Sequence, residues 1–218
     1  MANQIDRTQI VKTLGDWSTK IPGLEAGLGS PGKIDRIARR VSDEWIKYRG
    51  LKVHLDVYAS KKNRGVIVFS PGIGAYASFY MPILGRLRDL GFTCVGIDRP
   101  GHGWSKGRRG DCTTKEAIDV IELTVTWAKE RYGVPVVLMG SNLGGIQTFL
   151  AITRNPDVAG AICHNIAHPI ILPKRLVPLR RGVDDDFQSS EHLALPDHLA
   201  HALRAQLAIL LFLSRGGL

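Results

Sequence analysis

From residue 51 the chain alternates: Leu51, Val53, Leu55 and Val57 are apolar, and Lys52, His54 and Asp56 between them are polar. A period of two predicts a strand buried on one face, with His54 on the solvent side. Trp45-Ile46-Lys47-Tyr48 and the Arg49-Gly50 turn ahead of it complete a hairpin. After Lys61-Lys62-Asn63-Arg64 the pattern changes. Gly65-Val66-Ile67-Val68-Phe69 is a continuous apolar run, as a strand buried on both faces requires. Residues 78–90 predict a helix, with Pro82 in its first turn, Leu84, Leu87 and Leu90 on one face and Gly91 as its stop. Residues 92–97 form a second apolar run. Thr113-Thr114-Lys115-Glu116 is a capping box opening a helix whose Ala117, Val120, Ile121, Val125 and Ala128 face inward. A third strand is predicted over 134–139, a helix from Leu143 to the Asn155-Pro156 break, and a fourth strand over 158–163. Strands alternating with helices in this way predict a parallel sheet covered on both faces.

The two ends read differently. Ile21-Pro22-Gly23 and Gly27-Leu28-Gly29-Ser30-Pro31-Gly32 are breakers, so residues 1–30 are expected to form a loosely packed extension. From Ile34, apolar residues recur at Ile37, Val41 and Trp45 among Lys33, Arg36, Arg39 and Arg40, a helical spacing. Beyond His168, Pro169, Pro173, Pro178 and Pro196 interrupt short apolar pieces, Asp184-Asp185-Asp186 is acidic, and a helix is predicted from Asp197 to about Leu213. The chain therefore divides into a basic, partly helical extension (1–43), an α/β core (44–168) and a C-terminal helical segment (169–218).

Composition narrows the function. With 218 residues, 44% hydrophobic and 22% charged, the chain is not a disordered or low-complexity protein. The net charge is +9, concentrated in residues 1–64, which hold 13 Lys/Arg against 7 Asp/Glu. That excess would favour an anionic membrane surface, but no nucleic-acid-binding motif accompanies it, so no nucleic-acid partner is expected. Cys94, Cys112 and Cys163 are sparse and odd in number, which argues for a reducing compartment. Met1 to Arg7 has no apolar core, and Leu207–Leu213 is too short to span a bilayer, so a cytoplasmic protein is expected.

The chemistry lies at the strand ends. After the third buried strand stands Gly140-Ser141-Asn142-Leu143-Gly144-Gly145. Strand, tight turn with glycines two before and two after a central residue, then helix, is the arrangement G-x-S-x-G of a nucleophile elbow. Its central residue here is Asn142; Ser141 is one position out of register, with Met139 and Leu143 in the places that need glycine. Ser70-Pro71-Gly72-Ile73-Gly74 follows the first buried strand, and Asp98-Arg99-Pro100-Gly101-His102-Gly103-Trp104-Ser105 the second.

These three stretches, in this order, resemble the α/β-hydrolase superfamily, and within it the serine aminopeptidase/monoacylglycerol lipase-like (lysophospholipase-like) branch, over about residues 44–168. The resemblance implies a mostly parallel sheet with helices on both faces. It implies a carboxyl-ester or amide hydrolase acting on small acyl substrates such as acylglycerols or lysophospholipids, with residues 169–218 lid-like. It places Asn142 at the nucleophile position, the Ile73 and Leu143 N–H groups in the oxyanion hole, and Gly72, Gly74, Gly140, Gly144 and Gly145 as loop and elbow glycines. It calls for no metal and no organic cofactor. His102 is then a structural loop residue, and His164 and His168 stand at the root of the lid.

Two departures bear on activity. An amide is a very poor nucleophile, and a histidine cannot activate it as it does a hydroxyl. The family sets its triad acid and histidine after later strands, and the 76 residues after Asn142 show no further strand pattern. Asp184, Asp185, Asp186, His192, Asp197, His198 and His201 lie in lid-like sequence. The chain is thus expected to lack the C-terminal strands and to turn over little or nothing. The other reading is a non-catalytic α/β-hydrolase-fold protein that binds an acyl ligand or a protein partner. Asn tolerates positive φ well among non-glycine residues, which suits the elbow, and a bulky follower such as Leu143 is expected to slow deamidation.

Overall fold

The structure, a computed structural model, describes residues 5–155 and 157–164. Six strands form one sheet: β1 (Ser42–Tyr48), β2 (Leu51–Tyr58), β3 (Val66–Ser70), β4 (Thr93–Ile97), β5 (Val136–Ser141) and β6 (Gly160–His164), in spatial order β1-β2-β4-β3-β5-β6. The β1–β2 hairpin and the β2–β4 pair are antiparallel, and β4, β3, β5 and β6 run parallel. Among the described residues six helices accompany them: α1 (Thr8–Lys20), α2 (Leu24–Leu28), α3 (Pro31–Ala38), α4 (Met81–Asp89), α5 (Thr114–Tyr132) and α6 (Leu143–Arg154). A 3-10 turn, Ala77–Tyr80, leads into α4. The sheet is mostly parallel and covered on both faces, as the resemblance implies.

The apolar runs divide between two cores. Val66, Val68, Val95, Ile97, Val136 and Leu138 pack with Ile118, Ile121 and Val125 of α5 and Ala151 of α6. Ile67, Phe69, Cys94 and Met139, alternating with them, pack on the other face with Ile10 and Leu14 of α1, Ile34 and Ile37 of α3 and Leu84 of α4. Continuous apolar runs are what strands feeding two cores need. Thr113 and Glu116 make the expected capping box, and Gly133, in a left-handed conformation, ends α5.

The second core corrects the expectation of a loose extension. The breakers Ile21-Pro22-Gly23 and Gly27–Gly32 fall at the corners between α1, α2 and α3 instead of dissolving the segment. Ser18 Oγ donates to Gly29 O (2.6 Å), and Gly85 of α4 lets Ile37 come so close that a Cβ would lie 2.8 Å from its tip. The helical spacing read from Ile34 to Trp45 also ends early. Helix α3 stops at Ala38, Val41 is buried in the link, and Trp45 lies exposed on β1. Residues 165–218, with the predicted helix from Asp197 and the lid-like segment, lie outside the described residues.

Covering this face also reverses the reading of His54. Its pleat position was read as the solvent side of β2, but Asp43 and Trp45 of β1, the loop after β4 and Arg7 at the head of α1 close over it, and His54 and Asp56 are fully buried. Among the described residues no helix is long and apolar enough to cross a membrane.

Candidate active site

Three loops meet at the carboxyl ends of β3, β4 and β5, where open α/β sheets place their sites. Asn142 joins β5 to α6 with φ 55° and ψ −120°, the positive φ expected for an elbow. Gly140 and Gly144 explain why glycines flank it. A Cβ on Gly140 would fall less than 3.0 Å from Gly144 O and Thr148 Oγ1, and one on Gly144 less than 3.0 Å from Ser70 O and Pro71 O. Neither Met139 nor Leu143 could stand there, so the packing sets Asn142, half-buried, and not the buried Ser141 at the centre of the turn. Gly145 N donates to Asn142 O (3.0 Å), and Asn142 N donates to His164 O (3.0 Å), tying the elbow to its helix and to β6.

The glycine loop lies directly against the elbow. A Cβ on Gly72 would be 3.2 Å from Asn142 Cβ. Gly72 N donates to Tyr80 Oη (3.1 Å), and Gly72 O accepts from Arg99 Nη2 (2.7 Å). Arg99 Nη1 and Ser70 Oγ both donate to Gln147 Oε1 on α6 (3.2 and 3.3 Å). One buried guanidinium thus fastens the loop to the helix that starts at Asn142. Ile73 follows Gly72 with its side chain exposed, and Gly74 takes φ 67° to turn the loop back, with Ala75 N donating to Gly72 O (3.2 Å). Leu143 N, a first-turn donor without an intrahelical acceptor, gives its hydrogen to Asn142 Oδ1 at 2.7 Å. The Asn142 side chain therefore covers the Leu143 N–H, the group the resemblance expects in an oxyanion hole.

The loop after β4 is structural. Asp98 Oδ1 accepts from Ala77 N (2.8 Å) and Oδ2 from Trp104 N (2.9 Å). Ser105 Oγ donates to Asp98 O and accepts from His54 N. A Cβ on Gly103 would collide with the Asp98 carboxylate. His102 closes its own loop, with Nδ1 3.0 Å from Pro100 O, and burial lowers its pKa. His164 ends β6, where burial also lowers its pKa. His168 and the acidic and histidine residues from Asp184 to His201 lie outside the described residues.

A second buried polar group carries no signal in the sequence. His54 Nδ1 is 3.0 Å from Asp98 Oδ2 and its Nε2 2.9 Å from Asp43 Oδ1. Arg7 pairs with Asp43 and Asp56, and Ser78 Oγ donates to Asp56 Oδ2 (2.7 Å). Burial alone would depress the His54 pKa, but hydrogen bonds to Asp43 and Asp98 override it and raise the pKa to about 9. The carboxylates of Asp43 and Asp56 close up with His54 as metal ligands would. Arg7 already supplies their positive charge, and an added cation would face both Arg7 and the imidazolium. The cluster is a salt-bridge network joining the N-terminal helices to the 3-10 turn beside the site.

The mostly parallel sheet with helices on both faces defines the class: an α/β-hydrolase. The family of serine aminopeptidases, S33, matches residues 61–181, more than half of the chain, and the chain belongs to it. A monoglyceride lipase homolog of Monkeypox virus is 30% identical over 101 residues, 45% of this chain and 37% of that protein. The crystal structure of the α/β-hydrolase GrgF from Penicillium sp. sh18 superposes with a TM-score of 0.51 at 27% identity, covering 56% of this chain and 44% of that one. Est1E from Butyrivibrio proteoclasticus, solved with ferulic acid, shares the fold with a TM-score of 0.51 at 20% identity, over 55% of this chain and 51% of that one. The chain thus spans about half or less of the length of each of these relatives.

Proposed function

We infer that this chain carries the acyl-binding site of an S33-type hydrolase for small carboxylic esters, of the monoacylglycerol or lysophospholipid kind, with Asn142 in the nucleophile's place. The observation that carries the reading is the backbone of Asn142. It takes the elbow's positive φ at the head of α6, with the Gly72 loop packed on its Cβ. Such a site holds an ester carbonyl between the N–H groups of Ile73 and Leu143, once the Asn142 carboxamide swings off Leu143 N. In a serine enzyme each such donor contributes about 10²–10³ in rate. Here the carboxamide supplies no attacking hydroxyl, so the substrate is held and little of it is cleaved. The same chemistry suits the non-catalytic acyl-binding reading.

The test is calorimetry with a monoacylglycerol, run beside an assay for released fatty acid. Saturable binding with the ester recovered intact is the expected result. No binding refutes the acyl site, and sustained turnover refutes the inert role of Asn142. Asn142→Ser serves as the companion: its turnover separates a hydrolase that lost its hydroxyl from a binding protein.

A further inference from the structure

The conformation that makes Asn142 an elbow residue also aims its side chain at its own backbone. Its φ of 55° and ψ of −120° are the torsions of the first central position of a type II′ turn, the mirror image of about (−60°, +120°). In an L-residue Cβ lies about 120° around the Cα–C bond from the backbone nitrogen. A ψ of −120° therefore brings Cβ level with the next nitrogen, on the same side of that bond. Those atoms, Leu143 N, Asn142 C, Cα and Cβ, are four of the five members of a succinimide ring. The fifth, Cγ, belongs to the carboxamide whose Oδ1 already lies 2.7 Å from Leu143 N.

We propose that Asn142 is a self-modification site: the folded elbow drives its cyclisation onto Leu143 N and then its conversion to aspartate. In the first step the Leu143 N lone pair bonds to Cγ, the Cγ–Nδ2 bond breaks, and the N–H proton passes through water to the departing group, which leaves as ammonia. In the second step water adds to Cγ and the Cγ–N bond breaks. The electrons return to Leu143 N, which regains its hydrogen, and residue 142 is left as aspartate. No oxidant or cofactor enters. The ring closes through side-chain torsions alone, because the backbone already holds the ring's planar edge.

Three features of the site favour this course. Leu143 N is a first-turn nitrogen with no helical acceptor to give up. The positive end of α6 stabilises both the oxygen anion of the addition step and the carboxylate product. Gly140, Gly144 and Gly72 pack so closely around the turn that ψ cannot drift out of the ring-closing range. The bulk of Leu143, which retards the reaction in a free chain by disfavouring this conformation, is bypassed because the fold imposes it.

Among the described residues, the other asparagines lack this arrangement. Asn63 also has positive φ, but the following Arg64 N donates to Gly91 O at 2.9 Å. Asn155 precedes Pro156, whose nitrogen carries no hydrogen.

The experiment is peptide mass mapping of the full-length protein, incubated at neutral pH either native or in urea. Held in a near-attack geometry, Asn142 in the native protein is expected to react at least about tenfold faster than in urea. The peptide containing residue 142 first loses about 17 Da and then stands about 1 Da above its starting mass. Hydroxylamine, which traps the ring, is expected to cut the native chain between residues 142 and 143. Asn142→Gln, whose longer side chain cannot close a five-membered ring, is expected to show neither change. The proposal is overturned if residue 142 stays unchanged in the native protein, or if urea leaves the rate the same or raises it.

Discussion

Replacing His54 with glutamine perturbs the interior at one atom pair and yields a number that can be checked. Both ring nitrogens of His54 face carboxylates, Asp98 on one side and Asp43 on the other. A neutral imidazole has one donor and one acceptor, so it would set a lone pair against a carboxylate; only the imidazolium serves both. Raising its pKa from 6.5 in the unfolded chain to about 9 in the folded one corresponds to about 3 kcal/mol of stability. The sign follows from the direction of the shift. The contribution is present in full below pH 6.5, where both states are protonated, and is lost as the pH climbs through about 9. Arg7, Asp43, Asp56 and Asp98 surround the ring. The assay is urea unfolding of the wild type and His54→Gln at a series of pH values. The wild type is expected to lose about 3 kcal/mol more than the variant between pH 6 and pH 10. The variant should also be less stable at pH 6, by about 3 kcal/mol, because a neutral amide replaces the imidazolium between two carboxylates and can donate to only one of them. Equal pH slopes for the two proteins, or a His54 resonance titrating near 6.5 by NMR, would refute the reasoning.

Other consequences are as direct. Gly144→Ala drives a Cβ into Ser70 O and Pro71 O, so circular dichroism should show a lowered melting temperature and calorimetry no monoacylglycerol binding. Leu14→Ala and Ile34→Ala open cavities in the core beneath the N-terminal helices; each is expected to cost about 2–5 kcal/mol in denaturant unfolding, whereas a loosely packed extension would register almost nothing. Arg99→Met frees Gly72 O and Gln147, and should weaken acyl binding with far less effect on stability than the core substitutions. Thr113→Ala removes the capping box of α5, with an expected loss of about 1 kcal/mol.

What the sequence discloses, and what it hides, follows the distance over which each feature is decided. The β2 alternation, the capping box of α5, the four apolar runs and the elbow glycines are local, since each is set by neighbours within a turn or a pleat. The fate of His54 is not. Whether its face of β2 meets water is decided by distant residues: its partners Asp43 and Asp98 lie 11 and 44 residues away, and Arg7 closes the same cluster from the head of α1. A polar residue at a pleat position is the same letter whether it faces solvent or a buried aspartate. The prolines and glycines near residues 21–32 show the same limit: breakers locate corners, and only packing decides whether the pieces between them are loose or part of a core.

Asn142 brings the two scales together. The glycine spacing around it is legible as a tight strand-to-helix turn, and the structure adds the reason. The backbone at residue 142 is held by what surrounds it, through carbonyls and side chains that leave no room beside Gly140, Gly144 and Gly72. A conformation imposed from outside does not depend on the side chain it presents. With serine at this position, the same torsions point a hydroxyl into the site, and its oxygen has no carbonyl carbon for Leu143 N to attack. With asparagine, they place an electrophilic carbon beside a backbone nitrogen that has no helical bond to lose. The geometry that makes the position a good place for a nucleophile thus makes it a poor place to keep an amide.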